Sequence, residues 1–160
     1  MEVEVWRDTL LFVTQSLDST MGGLPEQDLL SSHRRSVYGF VSRDSASASD
    51  RFLKLFDLPD ANISHSKRAV TTVPQQLLFA MNSDFMVRLA KSLYKVLEAH
   101  SENDAARIQH AYRRLYGRPV SPDELEMGQN FLLSNRTGGL TLWEQYCQVL
   151  LTSSELMYVE

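Results

Sequence analysis

The stretch "RAVTTVPQQLLFAMNS", Arg68 to Ser83, constrains the fold of this chain more than any other. Thr72 and Gln75 have the spacing of a capping box, in which a side-chain oxygen takes an orphan N–H and the residue three on reaches back. Pro74 falls in the first turn, where its missing N–H costs little. Leu77, Met81, Phe85, Leu89 and Leu93 then follow at four-residue steps, and Leu78, Val96 and Leu97 widen the apolar side. The pattern predicts a single helix to about Ala99, roughly 25 residues and 37 Å long, which would serve as a central strut.

Other helix signals surround it. Val3, Trp6, Leu10, Val13 and Leu17 line one face of a first helix, which "DSTMGG" stops. "RRSVYGFV", Arg34 to Val41, is the best strand candidate, yet one short strand makes no sheet; an extended segment or small hairpin is expected. "DSASASD" reads as a mobile loop, after which Ser49 can cap two turns carrying Phe52, Leu53, Leu55 and Phe56, ended by "DLPDANIS". Ser101 with Asp104 predicts a cap for a helix burying Ile108, Tyr112, Leu115 and Tyr116, and Gly117 closes it. Ser121-Pro122 with Glu124, and Thr141 with Glu144, are two further capping boxes. The second opens a helix expected over Leu142 to Met157 that buries Trp143, Cys147, Leu150 and Leu151. The sequence therefore predicts a mainly α bundle of about six helices, a single domain over 1–160, with a long central helix and one short extended segment or hairpin.

Charge and composition narrow the chemistry. Residues 1–32 carry one basic and six acidic groups, and residues 121–160 repeat that count. Residues 33–68 and 69–120 each carry seven basic and four acidic groups, so a basic middle lies between acidic ends. Terminal segments folding back on the middle account for this pattern, and an anion-facing middle is the functional alternative. A pI near 5.6 argues against general nucleic-acid binding. No run reaches the ~18 apolar residues of a membrane span. The acidic, amphipathic start "MEVEVWRDTL" lacks the form of a secretory leader. One cysteine, Cys147, excludes an internal disulfide and a CxxCH haem attachment.

Catalytic motifs are absent. There is no GxSxG, and Cys147 lies on an apolar stripe as an inert small hydrophobe would. His33, His65, His100 and His110 have no metal-ligand spacing, so no metal is expected. Asp57 and Asp60 flank Pro59, which suits either a turn or a cation site, and turn chemistry is the simpler account. Arg34, Arg35 and Arg68, with Thr71 and Thr72 at a helix start, are the anion-binding candidates. Their anion would be a carboxylate, sulfate or phosphate, or Asp57 or Asp60 of the same chain. Helix formation explains Thr72, Pro74 and Gln75 but leaves Arg68, Thr71 and Asn82 without a role.

Six stretches in order carry a resemblance: "LDSTMGG", "RRSVYGFVSR", "LFDLPDANIS", "RAVTTVPQQLLFAMN", "YRRLYGRPVSPDEL" and "WEQYCQVLLTSSELMYV". Together they resemble planctomycete-specific domain one, a domain of unknown function at the C-terminal end of large planctomycete proteins. The most specific piece is R-x-x-T-T-x-P-x-Q-x-L-x-x-x-N, met by Arg68, Thr71, Thr72, Pro74, Gln76, Leu78 and Asn82, with the tail around Trp143, Glu155 and Tyr158 beside it. Ser16 stands where the family usually has glycine, Thr152 and Ser154 where it has asparagine, and Leu156 where it has phenylalanine.

The resemblance implies an exported or periplasmic multidomain protein, of which this chain is a C-terminal fragment. Any c-type haem would lie in an upstream cytochrome-c-like domain, so no cofactor is expected in this chain. It establishes no catalytic residues. The first functional expectation is a non-catalytic helical interaction module, docking on its upstream domain or on a protein partner. The alternative is part of an enzyme, polysaccharide-active or haem-linked redox, whose arginine cluster holds an anionic or carbohydrate ligand.

Overall fold

The computed structural model describes residues 2–41, 48–60, 62–64, 66–68, 71, 73–135 and 138–157. Among these, eight helices carry the architecture: α1 Val3–Val13, α2 Ala48–Leu55, α3 Pro74–Asn82, α4 Asp84–His100, α5 Asp104–Tyr116, α6 Pro122–Leu132, α7 Leu142–Leu151 and α8 Ser154–Met157. The mainly α class holds. Thr72, the 44–47 part of the small polar loop, His65 and Tyr158 lie outside the described residues.

The single strut of the sequence reading is two helices. The chain breaks at Ser83, whose extended backbone (φ −74°, ψ 143°) both ends α3 and starts α4. Its hydroxyl accepts from Met86 N at 3.3 Å, and Asp84 adds a charge that favours a first turn. Ser83 is thus an N-cap in the middle of an apolar stripe. The break changes what the stripe does. Phe85, Leu89 and Leu93 are buried, whereas Leu77, Leu78 and Met81 are exposed. The start of α3 also differs from expectation. Val73 is its N-cap, and Gln76 rather than Gln75 reaches back, its Oε1 accepting from Val73 N at 3.3 Å. Valine has no side-chain acceptor, so only half of a capping box forms.

Other helix ends shift for local reasons. α1 stops at Val13 rather than near Leu17, because Gln15 turns left-handed (φ 54°) and Ser16 N donates back to Leu11 O at 2.8 Å. Ser49 lies inside α2 rather than capping it. α5 is capped by Asn103, whose Oδ1 accepts from Ala106 N, while Ser101 ends α4. The last predicted helix divides at Thr152 into α7 and the four-residue α8. The capping boxes at Ser121 and Thr141, and the left-handed Gly117 (φ 70°), are as the sequence predicts. "RRSVYGFV" holds a 3-10 turn, Ser36–Tyr38, and two isolated bridges, Asp18 to Arg34 and Glu26 to Gly39. It is an extended segment laid on its neighbours rather than a hairpin.

α4 is the centre of the bundle. It buries Phe85, Met86, Leu89, Ala90, Leu93 and Leu97, packs most extensively on α7, and touches α1, α3 and α5. Aromatic rings join α1 to α4: Trp6 lies 5.1 Å from Phe56, and Phe52 lies 4.9 Å from Phe79 and 6.4 Å from Phe85. A second set, Trp143, Tyr146 and Phe131, joins α6 to α7. Close approach there depends on Gly128, the buried residue of α6. A Cβ at that position would meet Tyr146 Oη at 2.6 Å and Ile108 Cδ1 at 3.0 Å.

Arg7 fixes the long connection after α1. It lies inside the first apolar stripe and is fully buried. Its Nε donates to Leu29 O at 2.9 Å, Nη1 to Arg34 O at 2.8 Å and Ser36 Oγ at 3.2 Å, and Nη2 to Leu29 O and to Ser32 O at 2.6 Å. Burial lowers its pKa, and Asp8, 3.4 Å away, acts in the opposite direction. One guanidinium therefore takes the place of a strand pairing for residues 29–36.

Two substitutions test this packing. Arg7→Met leaves several buried carbonyls without donors and is expected to cost roughly 3–5 kcal/mol in urea unfolding. Gly128→Ala is expected to lose about 1–2 kcal/mol in the same assay, because overpacking against Tyr146 outweighs the better helix propensity of alanine.

Candidate functional site

The sequence-selected polar residues are not gathered in one place, and Arg68 and Arg34 anchor two separate groups, each occupied from within the chain. The first gathers at the end of α2. Asp57 takes the left-handed conformation there (φ 63°), with Leu58 N donating to Leu53 O at 3.0 Å, a Schellman closure that usually uses glycine. This backbone places its carboxylate against Thr71, which donates from N at 2.6 Å and from Oγ1 at 2.8 Å. Arg68 Nε donates to Asp57 O at 3.0 Å, and its Nη1 reaches both carboxylate oxygens of Glu4 at 3.1 and 3.0 Å. Gln76 Nε2 completes the seam by donating to Leu55 O at 3.0 Å and Thr71 O at 3.3 Å. Arg68, Thr71 and Gln76 thus bind the segment before α3 to α1 and to the end of α2.

The remaining residues lie elsewhere. Asp60 accepts from Asn62 N at 2.9 Å and lies 3.8 Å from Lys54, while Asp57 is engaged by Thr71. Asn82 Nδ2 donates to Leu78 O at 2.9 Å within its own helix. Arg34 forms the second set. It donates to Gly22 O, to Leu24 O at 2.9 Å and to Glu26 at 3.2 Å, and lies over the Tyr38 ring at 4.2 Å. Arg35 is mostly exposed, with Asp8 3.8 Å away. Arg34 and Arg68 thus serve different parts of the fold.

A cleft of about 290 Å³ opens between α4 and the 30–33 loop. Leu11, Leu30, Phe85 and Leu89 supply its apolar lining, and Arg88, Lys91, Lys95 and His33 its basic groups. Sequence reasoning passed over these cations. The available signal was their i, i+3, i+7 spacing, which places them along one side of α4. Arg7 was missed as well, although its position four after Val3 and three before Leu10 puts it on the buried stripe.

Other reactive groups have structural roles. Burial raises the thiol pKa of Cys147 far above its ordinary value. His100 and His110 stack at 3.8 Å between ring centroids, and burial together with the charges of His100, Arg114 and Arg113 lowers the pKa of His110. Arg118 joins Glu124 at 2.7 Å to Glu155 at 2.6 Å, and holds the Glu124 carboxyl down at about 2. Burial pushes Tyr116 up to about 12, and its hydroxyl donates to Leu150 O at 2.9 Å. Among the described residues no group of three or more His, Cys, Asp or Glu is placed to hold a metal ion, and no helix is long and apolar enough to cross a membrane.

An all-helical bundle whose marker residues close its own seams defines a class by architecture rather than by chemistry. The chain belongs to the PSD1 family, proteins of unknown function (DUF1553), which it matches over residues 1–132. That match ends with α6, so α7 and α8 lie beyond it. No curated protein and no solved structure matches the chain.

The Arg118 clamp gives a pH dependence of known sign. The pKa of Glu124 is depressed in the folded state, so its stabilisation is full above about 4.5 and is lost as pH falls toward about 2. In carboxyl-detected NMR, Glu124 is expected to titrate near 2, and in Arg118→Met to return toward 4.5. The acid-unfolding midpoint of that variant is expected to move to higher pH.

Proposed function

We propose that this chain is a non-catalytic helical interaction module of an exported multidomain protein, docking through α3 on an upstream domain of the same polypeptide or on a protein partner. The supporting observation is the face that α3 leaves open. Leu77, Leu78 and Met81, spaced for one side of a helix, are 51%, 57% and 53% exposed, although α4 continues the same stripe into the core. Grouped apolar side chains of this kind mark a surface for a neighbour. The polar residues around α3 support the same reading. Arg68, Thr71, Asp57 and Gln76 hold the helix in place and spend their donors and acceptors on each other, on Glu4 and on backbone. The compartment and the multidomain setting follow from the resemblance to planctomycete-specific domain one. With a single cysteine the chain has no c-type haem attachment, so a haem of the parent protein belongs to an upstream domain.

A photo-crosslinking residue in place of Leu78, in the polypeptide expressed in its own cells, tests the reading. The expected result is one reproducible adduct, to a defined upstream segment or to one partner, abolished by Leu77→Asp with Met81→Asp. Scattered adducts, or a yield unchanged by those substitutions, would reject it.

A further inference from the structure

The cleft beside α4 differs in kind from the apolar face of α3. Its floor includes Leu11, Phe85 and Leu89, all less than a twentieth exposed, and Leu30 adds a half-buried wall. Arg88, Lys91 and Lys95 border the apolar slot with positive charge on the α4 side, and His33 lies opposite. Among the described residues no carboxylate is in ion-pair contact with Arg88, Lys91 or Lys95. Asp28 accepts from Leu30 N at 3.0 Å and Ser31 Oγ at 2.6 Å in its own turn and acts on Arg88 only through its field, which leaves Lys91 and Lys95 as the cations free of it.

The wall is also pre-organised. Arg7 holds the carbonyls of Leu29 and Ser32 from within the core, and Arg88 Nη2 holds that of Leu30 at 2.6 Å from the α4 side. Ser32 N donates to Asp28 O at 3.0 Å, and Arg34 N to Ser32 Oγ at 3.1 Å. Little loop ordering remains to be done on binding, which removes one of the usual costs of association. His33 Nδ1 is engaged with Ser16 O at 2.9 Å, which leaves Nε2 as its second ring nitrogen.

Size and spacing select the ligand. At about 290 Å³ the cleft is at the lower edge of pockets that enclose drug-sized molecules, and is suited to one or two side chains. At 1.5 Å per residue, Arg88 to Lys95 spans roughly 10 Å along the helix axis. One phosphate cannot meet both ends of that span. An extended chain can, because side chains on alternate residues repeat about every 6.7 Å on one side.

We infer that the α4 cleft binds an extended acidic polypeptide segment, seating one of its apolar side chains on Leu11, Phe85 and Leu89 and its flanking carboxylates on Arg88, Lys91 and Lys95. The inference rests on the interaction-module reading and names a second contact for it, separate from α3.

The test uses a fluorescein-labelled decapeptide with Asp at alternate positions around a central Leu, followed by anisotropy against the 160-residue chain. Saturable 1:1 binding is expected, weakened about tenfold by Lys91→Gln with Lys95→Gln and comparably by raising salt from about 20 to about 300 mM. Replacing the central Leu of the peptide by Ser is expected to weaken it severalfold. Arg113→Gln, an exposed cation elsewhere, leaves binding unchanged, and unfolding temperatures confirm that all variants fold. Absence of saturable binding, equal weakening by Arg113→Gln, or full competition by free aspartate at equimolar concentration would overturn the inference. Such a failure, with the α3-dependent adduct intact, removes the cleft proposal and leaves the module reading standing.

Discussion

The buried guanidinium of Arg7 is the interaction on which the N-terminal half depends. Residues 14–41 form neither helix nor sheet beyond one 3-10 turn and two isolated bridges. Their backbone polar groups still need partners when they cover the core. Arg7 meets that need with five donors in a rigid fork, which lysine or an apolar residue cannot copy. The same contacts carry Leu29 into the core, where it is 1% exposed, and its side chain leaves no room at Gly39 for a Cβ, which would lie 2.6 Å from Leu29 Cδ1. The 29–36 part of this irregular segment is thereby tied to α1, and the wall of the α4 cleft is one result.

The helical bundle was largely legible in the sequence because capping chemistry is local. Ser121 with Glu124, Thr141 with Glu144 and Gly117 each act within a few residues, and each stands where expected. The break at Ser83 was harder to see because the apolar stripe runs straight through it. "NSD" was the available signal, and a strong stripe on both sides obscured it. The end of α1 was hidden for another reason, and α2 ends at "DLPDANIS" as expected but closes through an unexpected residue. Gln15 and Asp57 adopt a backbone that glycine usually supplies, and at Asp57 tertiary contacts sustain it. For Asp57 those contacts are the two donors of Thr71, fourteen residues away in sequence and out of reach of any pattern.

The polar residues show the same division. Their types were readable and their partners were not. Arg68 reads as an anion-binding cation at a helix start, with Asp57 or Asp60 as its internal partner, yet the carboxylate it meets is Glu4, separated from it by |i−j| = 64. Arg34 and Arg35 are adjacent in sequence, but one turns into the 22–26 loop and the other remains in solvent near Asp8. The basic middle of the chain is also split in space. Its first half is drawn into internal pairing with the acidic N-terminal segment, whereas Arg88, Lys91 and Lys95 keep their charge toward solvent. Charge counted along the chain therefore described a balance, and only the fold shows which cations remain to meet a partner.

The four-residue α8 is too short to hold a helical turn by its own hydrogen bonds. Its order is borrowed. Glu155 is held by Arg118, Leu156 is buried, and the Tyr116 hydroxyl holds the preceding turn at Leu150. The last helix of the described residues thus lies as a latch across the α5–α6 corner. Glu155 meets Arg118 only where the end of α5 and the start of α6 lie together, so the short helix draws its order from that corner.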